Sequence, residues 1–246
     1  GIASRSIGYE RFDEDGNATR AGIDGAFGEK YLQGVKGKRL KQKIGNGQWK
    51  PIADFNQIEP QDGYDVYTTI DVNIQDIAHH SLLGQLEKYE AEHGCVVVID
   101  VKTGEVKAIS NLGRNKEGKY YERLNYAVGE SHEPGSTFKV MAMMAALESG
   151  VIELTDSIDT GKGLKKFYGS PIRDSNWGHG GHGKGTVEEI FEWSSNVGVA
   201  EIIDSRFKSK KQDYLDALAA LGINQPLGIS LIGEPAPNIY RNVGDD

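Results

Sequence analysis

The sequence predicts an α+β protein, and three observations support this class. First, the apolar run Cys95–Ile99 and the stretch Glu105–Ser110 flank a turn at Lys102-Thr103-Gly104, which predicts an antiparallel hairpin. Second, apolar residues recur at helical spacing after Asp71 and again after Gly135. Third, 32 glycines against only 7 prolines indicate many turns without collagen-like or low-complexity sequence.

The first 60 residues are polar and rich in glycine, with turn signals at Asp15-Gly16 and Asp24-Gly25. They predict short strands and loops that lack a core of their own. We therefore expect residues 1–60 to form part of a small β-rich accessory segment. A boundary near Pro60–Gly63 separates this segment from a second domain, which we expect over residues 61–246.

The second domain begins with a strand and a helix. Apolar and polar residues alternate over Tyr64–Ile70, which predicts the strand, and Asp71 then caps a helix that extends to Tyr89. The continuous apolar run Cys95–Ile99 is typical of a central buried strand, so we expect Cys95 to be buried and chemically inert.

A buried helix is predicted to begin near Ser136. The apolar residues that define its spacing are Val140, Met143, Met144 and Leu147. Farther on, Thr186 and Glu189 have the spacing of a capping box. A turn at Ser194-Ser195-Asn196 then leads into two amphipathic helices, the second closed by Gly222, and the tail from Pro226 has no predicted element.

Composition excludes several function classes. The formal net charge is −8, and no broad basic stripe offsets it, which argues against a nucleic-acid partner. No apolar run approaches the roughly 20 residues of a membrane span, so we expect any anchor to lie outside this sequence.

His179 and His182, with the distant His132, raise the hypothesis of a metal site. A flexible glycine-rich loop with incidental histidines is the preferred interpretation, and we expect no metal or organic cofactor.

Nucleophilic chemistry is suggested by Ser136 and Lys139, which lie one helical turn apart on the same face. A serine hydroxyl is a weak nucleophile until a base removes its proton, and a lysine can be that base only when its environment keeps it neutral. Ser-x-x-Lys alone is common by chance, and an ordinary helix start would then be preferred. Likewise, Ser194-Ser195-Asn196 alone would be an ordinary turn. Their combination favours a catalytic site.

The combination of Ser136-Thr137-Phe138-Lys139 with Ser194-Ser195-Asn196 resembles the penicillin-binding transpeptidases, which share a fold with serine β-lactamases. Other segments resemble the class B enzymes in the same order: Gly22–Phe27 and Gly34–Gly37 of their pedestal, and Thr68–Asp71 with Ile74-Gln75 at the start of their transpeptidase domain. The resemblance implies an antiparallel sheet with helices on both faces, here incomplete, and a small β-rich pedestal. Glu133-Pro134-Gly135 before the serine favours the division-associated type.

The resemblance also implies a role for each site residue. Ser136 would attack a D-Ala-D-Ala stem peptide to form an acyl-enzyme, and Lys139 would accept its proton. Ser194 would relay a proton to the leaving amine, and Asn196 would orient the substrate and help to hold Lys139. The implied partners are peptidoglycan stem peptides, β-lactams as covalent inhibitors, the membrane through an anchor, and other cell-wall synthesis proteins. The implied location is the extracytoplasmic side of the cytoplasmic membrane.

One departure from the family concerns its third motif, Lys-Thr/Ser-Gly, which does not follow Asn196 in this sequence. The Lys102-Thr103-Gly104 turn precedes Ser136 and is not assigned to this role. We therefore expect the transpeptidase domain to lack its C-terminal part, and the chain alone to be an incompetent enzyme.

Three alternatives stay open. A class D β-lactamase or a penicillin-sensing domain also carries Ser-Thr-Phe-Lys, although such proteins usually have Ser-x-Val where this chain has Ser194-Ser195-Asn196, and they lack the pedestal. A non-catalytic scaffold could recruit cell-wall partners through residues 1–60. A carboxypeptidase would differ only in using water as the acceptor.

Overall fold

A computed structural model of the chain describes residues 2–52 and 57–244. The chain divides into two compact units. The first contains the described residues up to Glu130 together with Gly228–Pro235, and the second contains Ser131–Leu227 together with the described residues from Ala236 onward. Each unit has helices and antiparallel strands, so the predicted α+β class is confirmed. Within residues 2–52 and 57–244, none of the helices combines the length and apolar character needed to cross a membrane.

The N-terminal part of the first unit consists of short elements. These are α1 (Ser4–Ile7), β1 (Tyr9–Phe12), β2 (Ala18–Ala21), α2 (Gly22–Phe27), β3 (Lys41–Ile44) and β4 (Gln48–Pro51). Antiparallel pairing joins β1 to β2 and β3 to β4, as expected for short strands linked by turns. The sequence did not predict α2, which continues as a π-helix over Gly28–Leu32, because glycine lowers helix propensity. Gly22 and Gly25 are nevertheless buried where other backbone approaches closely.

The central part of the first unit is a helix on a sheet. Its elements are α3 (Val72–Tyr89), β5 (His93–Ile99), β6 (Val106–Arg114), β7 (Tyr120–Tyr121) and the short α4 (Tyr126–Gly129). The predicted helix is confirmed together with its cap, since the Asp71 carboxylate accepts the N–H groups of Asn73 and Ile74 at 2.8 and 3.1 Å. Buried Gln75 ties α3 to β6 through two hydrogen bonds with the backbone of Ile109.

The predicted hairpin is confirmed, but the predicted burial of its first strand is wrong. Strands β5, β6 and β7 form an antiparallel sheet in that order, so β6 is central and β5 pairs only with β6 among the described residues. Leu82 and Leu86 of α3 pack on Leu112 of β6. The side chains of Cys95, Val97 and Ile99 alternate away from this core and are exposed, because successive residues of a strand point to opposite faces.

The strand predicted over Tyr64–Ile70 is also absent from the structure, which assigns no helix or strand to these residues. Two bonds attach the end of this segment to β6. The Thr69 hydroxyl donates to the carbonyl of Val106 at 2.7 Å, and the N–H of Asp71 donates to the carbonyl of Lys107 at 2.9 Å. The alternation therefore does not mark a strand, and the described hydrogen bonds of this segment to β6 lie at its end.

The second unit is mainly helical. It contains a 3₁₀ turn (Gly135–Thr137), α5 (Phe138–Glu148), β8 (Ser157–Asp159), β9 (Leu164–Phe167), β10 (Ser170–Arg173), β11 (Lys184–Thr186), α6 (Val187–Glu192), α7 (Asn196–Phe207) and α8 (Lys211–Ala220). The predicted capping box is confirmed, with Thr186 and Glu189 bonding each other's backbone N–H groups. Both predicted C-terminal helices are present, and no helix or strand follows Pro226 in the part of the tail that the structure describes.

The buried face of α5 differs from the predicted one. Val140 and Met144 are 40% and 46% exposed, and Leu147 is 37% exposed. Of the four predicted residues only Met143 is buried, and it packs in the core with small residues of α5 and with Ile190 and Ile202. Because α5 is apolar almost all round, its periodicity does not select one face, and tertiary packing determines which face is buried.

Candidate active site

Ser136 lies in the 3₁₀ turn immediately before α5. Gly135 takes a left-handed conformation (φ 59°), and the Thr137 hydroxyl donates to the carbonyl of Pro134 at 2.5 Å, which closes the turn. Ser136 is exposed, and its hydroxyl has no hydrogen-bond partner among the described residues. The side chain of the predicted nucleophile is therefore open to an incoming molecule.

Lys139 lies in the first turn of α5 and connects that helix to the turn between α6 and α7. Its Nζ donates to the carbonyl of Ser194 at 2.5 Å and to the Ser194 Oγ at 3.1 Å. The side chain is half-buried, and this burial lowers the pKa of the Lys139 amine, while the negative charge of Asp174 acts in the opposite direction. The structure thus brings together two predicted site residues that are far apart in the sequence.

Ser194 has an unusual backbone conformation for a residue with a side chain. Its φ is 51°, in the left-handed region that mainly glycine occupies. The N–H groups of Ser194 and Ser195 bond back to the carbonyls of Phe191 and Ile190, at the end of α6. This tight turn directs both the carbonyl and the hydroxyl of Ser194 towards Lys139. Strained conformations of this kind cluster at functional sites.

The middle residue of the turn is buried, and it contacts a residue that the sequence analysis missed. The Ser195 hydroxyl donates to Oδ2 of Asp174 at 2.9 Å and accepts the N–H of Gly198 at 2.8 Å. Oδ1 of Asp174 accepts the N–H of Val197 at 2.9 Å. Asp174 itself is 3% exposed. It follows β10 within a glycine-rich region, where no motif or periodicity distinguished it from a loop aspartate.

Asn196 begins α7, and its side chain contacts the backbone next to Asp174. Its Nδ2 donates to the carbonyl of Arg173 at 2.7 Å, and the side chain is exposed. The predicted contact between Asn196 and Lys139 is not present among the described hydrogen bonds. Within residues 2–52 and 57–244, the second N–H and the Oδ1 of this amide have no partner, so both can face a substrate.

His182 of the glycine-rich loop and the Lys-Thr-Gly sequence have structural contacts of their own. The His182 ring stacks on Trp193, with ring centres 4.5 Å apart. Lys102-Thr103-Gly104 forms the turn between β5 and β6, where Asp100 accepts the N–H groups of Lys102 and Thr103 at 2.8 and 3.0 Å. These contacts account for the residues by packing and turn formation.

A cavity of about 790 Å³ adjoins the Ser136 turn within the second unit. Its wall includes Pro134, Thr137, Phe138 and Met141, but neither Ser136 nor Lys139. Lys139 and Ser194 therefore lie outside that cavity, where Ser194 is exposed and Lys139 half-buried.

Comparisons with known proteins agree with this arrangement. Residues 94–241 match the family described as the penicillin binding protein transpeptidase domain. The peptidoglycan D,D-transpeptidase FtsI of Buchnera aphidicola is 29% identical over 238 residues, which are 95% of this chain and 39% of that protein. The probable peptidoglycan D,D-transpeptidase PenA of Neisseria gonorrhoeae is 32% identical over 188 residues, which are 74% of this chain and 31% of that protein.

A solved structure supports the same assignment. A peptidoglycan synthetase from Bifidobacterium adolescentis superposes with a TM-score of 0.74 at 27% identity, and the match covers 95% of this chain and 41% of that one. The chain thus spans well under half the length of these relatives. The transpeptidase fold predicted from the motifs is confirmed, and the chain belongs to the penicillin-binding protein transpeptidase family.

Proposed function

We propose that the protein containing this chain is a class B, division-associated D-Ala-D-Ala transpeptidase that forms an acyl-enzyme on Ser136. The observation that carries the proposal is the contact of Lys139 with Ser194. Lys139 lies in the first turn of α5, directly after the 3₁₀ turn that contains the exposed Ser136. Because the chain spans 41% or less of the length of the relatives named above, the activity is proposed for the whole protein.

Lys139 is proposed as the base because burial lowers the pKa of its amine, so that the amine loses its proton more readily than an exposed lysine does. In the neutral form, Nζ takes the Ser136 proton while the serine oxygen attacks the carbonyl carbon between the two D-alanines. Collapse of the tetrahedral intermediate breaks the C–N bond, and the proton passes through Ser194 to the departing amine of D-alanine. An acceptor amine from a second stem peptide then attacks the ester and regenerates Ser136. Hydrogen bonds at such sites often tighten only with substrate, which is consistent with an unbonded Ser136 here.

The proposed surroundings of this site follow from the family. We propose that residues 1–60 belong to a pedestal and residues 61–246 to the transpeptidase domain. The substrate would be the peptidoglycan stem peptide and β-lactams would be covalent inhibitors. The catalytic domain would face the extracytoplasmic side of the cytoplasmic membrane, held there by an anchor and associated with other cell-wall synthesis proteins. Asn196 would orient the substrate through its free amide groups.

Labelling with a fluorescent penicillin tests the nucleophile. We expect the full-length protein to acquire a covalent label and the Ser136→Ala variant to lose it entirely, because no other atom is proposed to form the acyl bond. Ser149→Ala is a matched control, since Ser149 lies at the opposite end of α5. Labelling that persists in Ser136→Ala would show that the nucleophile is elsewhere.

The fate of the acyl-enzyme separates the alternatives. A transpeptidase releases D-alanine from a D-Ala-D-Ala peptide and transfers the acyl group to an added amine, while its penicilloyl ester persists. Rapid hydrolysis of the penicilloyl ester would indicate a β-lactamase instead. Release of D-alanine without transfer would indicate a carboxypeptidase, and absence of all labelling would favour the scaffold.

A further inference from the structure

A buried carboxylate supports the turn that carries Ser194. Both oxygens of Asp174 are engaged there, one by the Ser195 hydroxyl at 2.9 Å and the other by the N–H of Val197 at 2.9 Å. The preceding carbonyl, that of Arg173, accepts from Asn196 at 2.7 Å. Arg173 and Asp174 therefore hold Ser195 and Asn196 of the turn, and the next residue of α7, by hydrogen bonds.

The β9–β10 hairpin fixes Asp174 in turn. The N–H of Asp174 donates to the carbonyl of Gly163 at 2.8 Å, and its own carbonyl accepts the N–H of Trp177 at 3.2 Å. The hairpin is joined to α7 by an ion pair between Lys165 and Glu201 and by a bond from the Tyr168 hydroxyl to Asp204 at 2.5 Å. Asp174 thus follows a hairpin that is bonded to α7, the helix whose first turn Asp174 contacts.

We propose that Asp174 is a positioning residue for acylation, which acts by holding the Ser194–Asn196 turn so that the carbonyl and hydroxyl of Ser194 remain on the Lys139 amine. This inference rests on the proposed function of Ser136 and Lys139. It extends that function to a residue outside both motifs, on a different element from either.

Asp174 also supplies the charge that acts on Lys139. The other charged groups on elements packed against α5 are mostly engaged elsewhere: Glu201 with Lys165, Asp204 with Tyr168, Arg206 with Asp156, Lys211 over the Tyr168 ring, and Asp216 with Gln212. The further charges are Glu133 before the 3₁₀ turn, Glu148 on α5, Asp213 on α8, and Glu188, Glu189 and Glu192 on α6. Of all these groups in the described second unit, Asp174 is the one whose charge raises the Lys139 pKa against the effect of burial.

Two substitutions separate positioning from charge. Asp174→Asn keeps a group of the same shape, since its Oδ1 can accept from Val197 and its Nδ2 can donate to the Ser195 oxygen, but it removes the charge. Asp174→Ala removes all these contacts and leaves a buried N–H without a partner. Asp159→Ala is the matched control, because that carboxylate also accepts a backbone N–H, from Gly161 at 2.8 Å, but has no contact with the turn.

The experiment measures the rate of acylation by a fluorescent penicillin as a function of pH, in the full-length protein, with circular dichroism to verify folding. We expect Asp174→Ala to lose about 100-fold in acylation rate, as for a small displacement of a catalytic group. Asp174→Asn should lose less of the acylation rate. The acidic side of its pH–rate profile, which we call the acid limb, should move to lower pH because Lys139 deprotonates more readily once the negative charge is removed. Asp159→Ala should match the wild type.

The outcomes are distinguishable from failure of the proposed function. If the wild type is not acylated, or if Ser136→Ala is acylated equally, the function itself is wrong. If the wild type is acylated normally and Asp174→Asn has both the wild-type acylation rate and the wild-type pH profile, the Asp174 inference is wrong. A folded Asp174→Ala protein with wild-type rates would overturn it as well. If Asp174→Ala does not fold, Asp174→Asn decides, because its amide cannot accept the Ser195 hydroxyl proton as Oδ2 does: an acylation rate below that of the wild type supports the inference, and a wild-type rate overturns it.

Discussion

Ser194 combines two demands that conflict at the scale of a single residue. Its left-handed backbone aims the carbonyl at Lys139, and glycine would adopt this conformation at lower cost. Only a hydroxyl-bearing residue, however, can also place an Oγ 3.1 Å from the Lys139 amine. The contact of its hydroxyl with Lys139 therefore best explains why a serine occupies this strained position.

Comparing Ser194→Ala with Ser194→Gly separates these two demands. Both variants lose the hydroxyl, so we expect each to lose about 100-fold or more in the rate of acylation by penicillin, within the range for a positioned proton-transfer group. The glycine variant should be more stable than the alanine variant by about 1 kcal/mol, because it relieves the left-handed strain. Stopped-flow labelling and thermal unfolding measure the two effects.

Ser205→Ala is the control for this comparison. The Ser205 hydroxyl donates within α7, to the carbonyl of Ile202, and has no contact with the turn. Its removal should leave acylation unchanged. Wild-type acylation by Ser194→Ala would refute the relay role, and equal stability of the two Ser194 variants would refute the strain.

At the scale of the element, α6 and α7 pack so closely that only glycine fits at position 198, in the first turn of α7. A Cβ at Gly198 would lie 2.5 Å from Cγ2 and 2.8 Å from Cδ1 of Ile190, and 3.0 Å from the Ser195 hydroxyl. Ile190 is completely buried in the core of the second unit and has no space into which to move. Close contact between α6 and α7 therefore sets the geometry of the Ser194–Asn196 turn between them.

We expect Gly198→Ala to destabilise the protein by about 1–3 kcal/mol, the usual cost of overpacking, and to slow acylation by displacing Ser195. Gly84→Ala is the matched control. Gly84 is exposed on α3 with open space around it, so alanine there should stabilise the helix by up to about 1 kcal/mol. Chemical denaturation of both variants measures the difference, and an equal effect of the two substitutions would contradict the packing argument.

The elements that the sequence predicted correctly are those with local signals. The Asp71 cap and the Thr186–Glu189 capping box require only residues a few positions apart, and both appear in the structure. The features that it predicted wrongly depend on tertiary contacts. The exposure of Cys95 and the buried face of α5 are set by which neighbour packs there, and no local pattern contains that information.

The same distinction applies to the candidate site. Ser136, Lys139, Ser194 and Asn196 were predicted from two motifs, and the structure brings Lys139 to Ser194. Asp174 was not predicted, because its contacts with the start of α7 exist only once the fold places the β9–β10 hairpin next to that helix. A buried aspartate has no sequence signature when its partners are backbone groups of a distant turn.

At the scale of the whole molecule, each of the two units exposes apolar side chains. Val97 and Ile99 are 43% and 52% exposed on β5, and Val140 and Met144 are 40% and 46% exposed on α5. Among the described residues β5 also pairs on one side only. Exposed apolar strands of this kind tend to pair with other chains. Mutual repulsion from the net charge of −8 opposes that tendency at pH 7.

We therefore expect the isolated chain to self-associate as the pH falls towards its isoelectric point of about 5.3. Protonation of carboxylates removes the net negative charge, so the repulsion disappears while the apolar surface remains. Light scattering should report monomers at pH 8 and larger species near pH 5.3, reversibly with pH. The double substitution Val97→Thr and Ile99→Thr should reduce this association, because both side chains are exposed and threonine retains strand propensity. A monomer at pH 5.3, or association that the substitutions leave unchanged, would show that the β5 surface does not drive self-association.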